Sequence, residues 1–116
     1  MTNIVTPGLH LLIDFWDAIH LRDEALIENA MRQAAMACGA TVLDVKLHSF
    51  GANAGITGVA ILAESHISIH TWPEIGYVAL DVFVCGSCDP HQALPVFRET
   101  FQPQREKILA CRRGNL

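Results

Sequence analysis

Between Ile56 and Trp72 two β-rich runs are joined by only three residues, and this spacing commits the middle of the chain to a hairpin. Residues 56–62, Ile-Thr-Gly-Val-Ala-Ile-Leu, are largely apolar and β-branched, as a buried strand requires. Residues 66–70 alternate, with His66, Ser68 and His70 on one face and Ile67 and Ile69 on the other. Ala63, Glu64 and Ser65 remain for the reversal, which puts Ser65 on a sharp turn beside a strand face carrying two histidines. Each of these residues has an ordinary reading. Turn serines cap nearby backbone groups, and strand histidines are usually satisfied polar groups. His66 and His70 have the four-residue spacing of a helical zinc pair. On a strand rising about 3.3 Å per residue they stand ~13 Å apart, too far to share one ion, so no metal is expected.

The flanking segments extend the pattern. Residues 8–16 read as a first strand. Residues 23–38 read as a helix, with Ile27, Ala30, Met31, Ala34, Ala35 and Cys38 on one face, Asp23 as cap and Gly39 as stop. Residues 41–50 alternate, Leu43, Val45 and Leu47 against Asp44, Lys46 and His48. A Gly/Ala/Asn loop, 51–55, precedes the hairpin. After a turn at Pro73–Gly76, residues 77–84 form another strand. Asp89, Pro90 and Gln92 form a capping-box start to a second helix, inside which Pro95 should produce a kink. Residues 105–111 form the last strand. Short links favour antiparallel pairing, which predicts an α+β fold: a mostly antiparallel sheet with both helices packed on one face, a two-layer sandwich. The other face then needs cover.

The length of 116 residues suits one domain, and neither a repeat nor a linker divides it. A net charge of −4, without a basic patch, argues against nucleic acid as partner. No apolar run approaches the ~20 residues of a membrane span, and the start lacks a signal-peptide layout, so a cytoplasmic protein is expected. Its four cysteines should then be reduced. Cys38 and Cys111 read as packing residues. Cys85-Gly-Ser-Cys88 leaves a redox pair or half a metal site open, with His91 close by, but lacks a fourth ligand or a parallel βαβ setting.

The run Glu64-Ser-His-Ile-Ser-Ile-His-Thr-Trp-Pro-Glu74, with Gly76-Tyr77 and Asp81-Val-Phe-Val-Cys-Gly86, resembles the bacterial and archaeal S-adenosylmethionine decarboxylases. The resemblance reaches from Gly8–Trp16 through Gly39-Ala-Thr41 and His48-Ser-Phe50, nearly the whole chain. Removing carbon dioxide from an amino acid needs an electron sink, which an electrophilic carbonyl provides through a Schiff base with the substrate amine. With two lysines, Lys46 and Lys107, and no phosphate cradle, the chain shows no pyridoxal-phosphate layout. The family makes its carbonyl from its own backbone.

The resemblance implies that Ser65 attacks the Glu64 carbonyl and that the chain parts into residues 1–64 (beta chain) and 65–116 (alpha chain). Ser65 becomes a pyruvoyl cofactor. It further implies that His70 is the processing base and Cys85 the acid that protonates the substrate carbon. Thr57 stands where the family usually has serine, and Phe50 matches an aromatic that stacks on adenine. Glu74 and His66 take supporting roles. A homodimer of processed protomers, with sites at their interface, would cover the open sheet face.

One departure bears on substrate. Asp17 follows Trp16 where the family commonly has glycine, and a carboxylate there suits a cationic tail, keeping L-ornithine or L-arginine open beside S-adenosylmethionine. Two further readings differ in class: a binding domain whose serine never cleaves, and a Cys-x-x-Cys metal or redox module.

Overall fold

The structure, a computed structural model, describes residues 8–114. Strands β1 (Gly8–Trp16), β2 (Val42–Ser49), β3 (Ile56–Leu62), β4 (Ser65–Trp72), β5 (Tyr77–Cys85) and β6 (Arg105–Arg113) form one sheet in the order β2-β3-β4-β5-β1-β6. Every neighbouring pair is antiparallel. The first strand in sequence therefore lies between two late ones, β5 and β6. Helices α1 (Glu24–Cys38) and α2 (Ala93–Phe101) cover one face. This is the α+β two-layer arrangement that the sequence predicts.

Alternation decides which side of each strand is covered. Leu11, Ile13 and Phe15 of β1, Ile67 and Ile69 of β4, and Val78, Leu80, Val82 and Val84 of β5 are buried beneath Ile27 and Met31 of α1 and Phe97 and Phe101 of α2. The opposite sides of the same strands carry His10, Asp14, Trp16, His66, Ser68, His70, Asp81, Phe83 and Cys85, and among the described residues no element packs over them. At the edge of the core Thr71 is buried, and its hydroxyl accepts from Ile56 N (2.9 Å) and donates to Leu21 O (2.8 Å). That pair of bonds ties β4 to the start of β3 and to the loop before α1.

Helix α1 begins and ends as its sequence predicts. Asp23 Oδ1 accepts from Leu26 N at 3.1 Å. Gly39 takes a left-handed φ of 87°, so that its N–H and that of Ala40 reach the last carbonyls. Five expectations are corrected. The hairpin loop holds only Ala63 and Glu64, because Ser65 already pairs with Leu62. Leu43 is exposed rather than aligned with Val45 and Leu47, since the register shifts between Val42 and Asp44. The capping box does not form. A 3-10 turn at Pro90–Gln92 precedes α2, and Asp89 accepts from His91 N and Gln92 Nε2 through its side chain. Pro95 is the third residue of α2, in the turn whose amides have no helical partner, so no kink is needed. Cys111, on uncovered edge strand β6, is exposed rather than packed.

Candidate active site

The β3–β4 turn is backbone under strain. Glu64 has a φ of 62°, a left-handed conformation that costs a non-glycine residue about 1 kcal/mol or more. The tight connection forces it there: Leu62 and Ser65 are paired, and Ala63 N donates to Thr41 O at 2.9 Å. The strain thus falls on the residue whose carbonyl Ser65 would attack. β5 runs alongside and ends at Cys85. Its Sγ lies 3.5 Å from Ser65 Oγ and donates to Glu64 O at 3.3 Å. Serine hydroxyl, strained carbonyl and thiol meet at the mouth of a cleft of about 570 Å³, walled by Thr41, Ala63, Phe83 and Gly86.

The other expected residues stand elsewhere. His70 is five residues along β4 from Ser65, about 16 Å at the strand rise. Its Nδ1 is 3.2 Å from Thr57 Oγ1, its cross-strand partner. Together with Phe50, Trp72 and Glu74 these two line a second hollow of about 330 Å³. Phe50 is 63% exposed, and its ring meets that of His48 edge-on at 4.6 Å. Asp17 lies past the end of β1 that is remote from Ser65, with its Oδ2 accepting from Arg105 Nε at 3.2 Å. The structure therefore joins Glu64, Ser65 and Cys85 in one place and Phe50, Thr57, His70 and Glu74 in another, with Asp17 in neither.

His66 belongs to a third group, centred on Asp81. Asp81 Oδ2 lies 2.5 Å from His10 Nε2 and 3.1 Å from His66 Nε2, and Oδ1 accepts from Ser68 Oγ. Burial opposes ionisation of Asp81, but the hydrogen bonds from Ser68, His10 and His66 outweigh it and hold the carboxyl below its usual value of 3.8. His10, His66 and Asp81 are also the group closest to a metal-ligand set among the described residues. Here they satisfy one another, and Arg113 Nη1 stands 3.5 Å from His10 Nδ1.

A depressed folded value means that Asp81 stabilises the fold above pH 3.8, and that this contribution is lost as pH falls through the lower folded value. The acid limb of the melting-temperature profile should accordingly be shallower in Asp81→Asn than in the parent. Parallel limbs would show that Asp81 has no part in acid unfolding.

Asp81, His10 and Ser68 were not marked as site residues by sequence reasoning. The signal was a lone carboxylate in the apolar strand Tyr77–Cys85, on the same face as Cys85. An aromatic row was also missed. Tyr77 stacks between Trp16 (5.8 Å) and Trp72 (5.1 Å) on the uncovered face. Burial and the 2.5 Å hydrogen bond that its hydroxyl donates to Asp14 push Tyr77 up to about 12.

Comparison with known proteins places these groups in a family. A family model described as S-adenosylmethionine decarboxylase matches residues 9–114. The S-adenosylmethionine decarboxylase proenzyme of Methanococcus aeolicus is 44% identical over 112 residues, covering 94% of this chain and 95% of the relative. That of Thermomicrobium roseum is 43% identical over 108 residues, covering 92% and 93%. The crystal structure of the adenosylmethionine decarboxylase from Aquifex aeolicus superposes with a TM-score of 0.85 at 32% identity, covering 97% of this chain and 94% of that one.

Proposed function

Because this chain belongs to the S-adenosylmethionine decarboxylase family, we infer that it decarboxylates S-adenosylmethionine after cutting itself between Glu64 and Ser65. The product would be an aminopropyl donor for spermidine synthesis. The observation that carries this reading is the meeting of Ser65 Oγ, Cys85 Sγ and the Glu64 carbonyl at a strained turn.

Processing begins when Ser65 Oγ adds to the Glu64 carbonyl carbon and the amide nitrogen departs, leaving an ester. Relief of the left-handed Glu64 conformation favours that step. A base then takes the Ser65 α-proton, and β-elimination frees residues 1–64 as a carboxylate. Water replaces the nitrogen of the dehydroalanine as ammonia, which leaves a pyruvoyl group heading residues 65–116. The side chains around Ser65 suit such a group, since Cys85 supplies a proton donor beside it and Phe83 an apolar wall. Once formed, that group supplies the electrophilic carbonyl that takes the substrate amine and accepts the electrons released with carbon dioxide. Cys85 returns a proton to the substrate carbon.

His70 is the processing base on this reading, yet it stands about 16 Å along β4 from the Ser65 of its own chain. The uncovered sheet face supports a way to close that distance. A two-fold axis perpendicular to the strands, pairing two such faces, would set them antiparallel and bring Ser65 of each protomer opposite His70 and Thr57 of the other copy. The protein therefore acts as a homodimer with two composite sites. Each unites Glu64, Ser65 and Cys85 of one copy with the hollow of Phe50, Thr57, His70 and Glu74 on the other. Phe50 offers its exposed ring to the adenine. His66 has a supporting role through Asp81.

L-Ornithine and L-arginine are disfavoured by the partner that Asp17 already has: Arg105 occupies the carboxylate a cationic tail would need. No helix among the described residues is long and apolar enough to cross a membrane, and a cytoplasmic setting keeps Cys85 a thiol. Mass spectrometry of purified protein should find two fragments parted at Glu64/Ser65, and carbon dioxide release should be fastest from S-adenosylmethionine. An uncut, inactive chain would point to the binding-domain reading, and faster release from either amino acid would overturn the substrate.

A further inference from the structure

Cys88 has no part in the chemistry above, and it sits three residues beyond the thiol that does. Cys85 and Cys88 are the ends of a β-turn: Cys88 N donates to Cys85 O at 3.3 Å, and Gly86 turns the chain with a φ of 65°. The ends of such a turn lie within ~7 Å, overlapping the ~4.4–6.8 Å that a disulfide spans between Cα atoms. Both side chains are half-buried and reach the same open cleft. Among the described residues, no atom beyond its chain neighbours lies within 4 Å of where a Cβ on Gly86 would stand, so the turn is open on that side.

We propose that Cys85 and Cys88 close a reversible disulfide that switches the decarboxylase off by removing its proton donor. The consequence for activity rests on the role given to Cys85 above; the bond itself does not. With a hydroperoxide as oxidant, one thiolate of the pair attacks the distal peroxide oxygen, and the O–O bond breaks. The resulting sulfenic acid is attacked by the second thiolate, an S–S bond forms, and hydroxide leaves to become water. Two electrons pass from the sulfurs to the peroxide. Closing so short a loop strains the bond, which makes it easy to reduce and suits it to regulation rather than to structure.

Cys38 is the competitor for Cys88. It closes α1, the Cys88 sulfur packs 3.9 Å from where a Cβ on the adjoining Gly39 would stand, and Asp89 N donates to Cys38 O. Burial pushes the Cys38 thiol up to about 11, so it remains protonated and unreactive at neutral pH, leaving Cys85 as the partner.

The test treats reduced protein with hydrogen peroxide and reads intact mass, peptide linkage and turnover. The expected result is a loss of about 2 Da mapped to Cys85–Cys88, with turnover down about 100-fold, the order a general acid contributes, and restored by dithiothreitol. Cys88→Ala should match the parent in reduced turnover and never show the mass loss. Prolonged peroxide should carry its Cys85 to sulfinic acid, which dithiothreitol does not rescue. Oxygen addition in the parent without loss of hydrogen would overturn the proposal. So would a Cys38–Cys88 bond, which ties residues 1–64 to 65–116 on a non-reducing gel. Because mass and linkage are read equally well on an uncut chain, failure of the switch is distinguishable from failure of self-processing.

Discussion

Ser65→Ala should remain one uncut chain of 116 residues and release no carbon dioxide. On the self-processing reading the loss is absolute, because one atom, Ser65 Oγ, then does two jobs. It is the nucleophile that converts the Glu64 amide to an ester, and its departure with residues 1–64 leaves the carbon skeleton that becomes the pyruvoyl carbonyl. An alanine at 65 can neither add to the carbonyl nor undergo β-elimination, so there is no slower version of the same path. Turnover should fall to the uncatalysed rate, a drop of at least ~10⁶-fold. The fold should survive, since Ser65 is only half-buried and its hydroxyl is paired with Cys85. Intact mass, carbon dioxide release and a melting curve separate these effects. A Ser65→Ala chain that still parts at position 64, or that turns over whole, would end the self-processing reading.

Two inactive variants should rescue each other. Cys85→Ala and His70→Ala should each form dimers with no working site. A hybrid dimer assembled by co-expression is different if each site draws Ser65 and Cys85 from one copy and His70 from the other. One of its sites collects both substitutions, while the second collects none. Hybrids should then recover about half of the parent's turnover, as an isologous pair with one intact site must. The prediction follows from a distance: His70 is about 16 Å from the Ser65 of its own chain along an extended strand that cannot fold back. If hybrids, purified with two different tags, are as inactive as either parent variant, the site lies within one protomer and the pairing is wrong.

The strands, the first helix and the hairpin were legible because each carries its periodicity locally. The alternation of His66, Ile67, Ser68, Ile69 and His70 is the alternation of exposure in β4. Asp23 and Gly39 mark the ends of α1 by their own side-chain and backbone chemistry. What could not be read is what the sheet order decides. Nothing near Asp81 in sequence announces His10, 71 residues away, which reaches it only because β1 inserts beside β5. Leu43 gave a false alternation because a bulge depends on its partner strand as much as on its own residues. Pro95 was misjudged for a smaller reason: a 3-10 turn moved the helix start toward it. The residues assigned to one site by resemblance lie in two groups near opposite ends of β4, a separation no motif reveals.

The position of β1 between β5 and β6 has a consequence for the molecularity of folding. A cut at residue 64 leaves β1, β2 and β3 on one polypeptide and β4, β5 and β6 on the other. Three antiparallel ladders then run between the two, β3 with β4, β5 with β1, and β1 with β6. While uncut, the chain reaches this interleaved sheet as a unimolecular search. After the cut, the same sheet can be regained only when two separate strands of peptide meet, at a rate set by their concentration. Such a cut would turn a fold that can be revisited into one that is held only as long as it is never left.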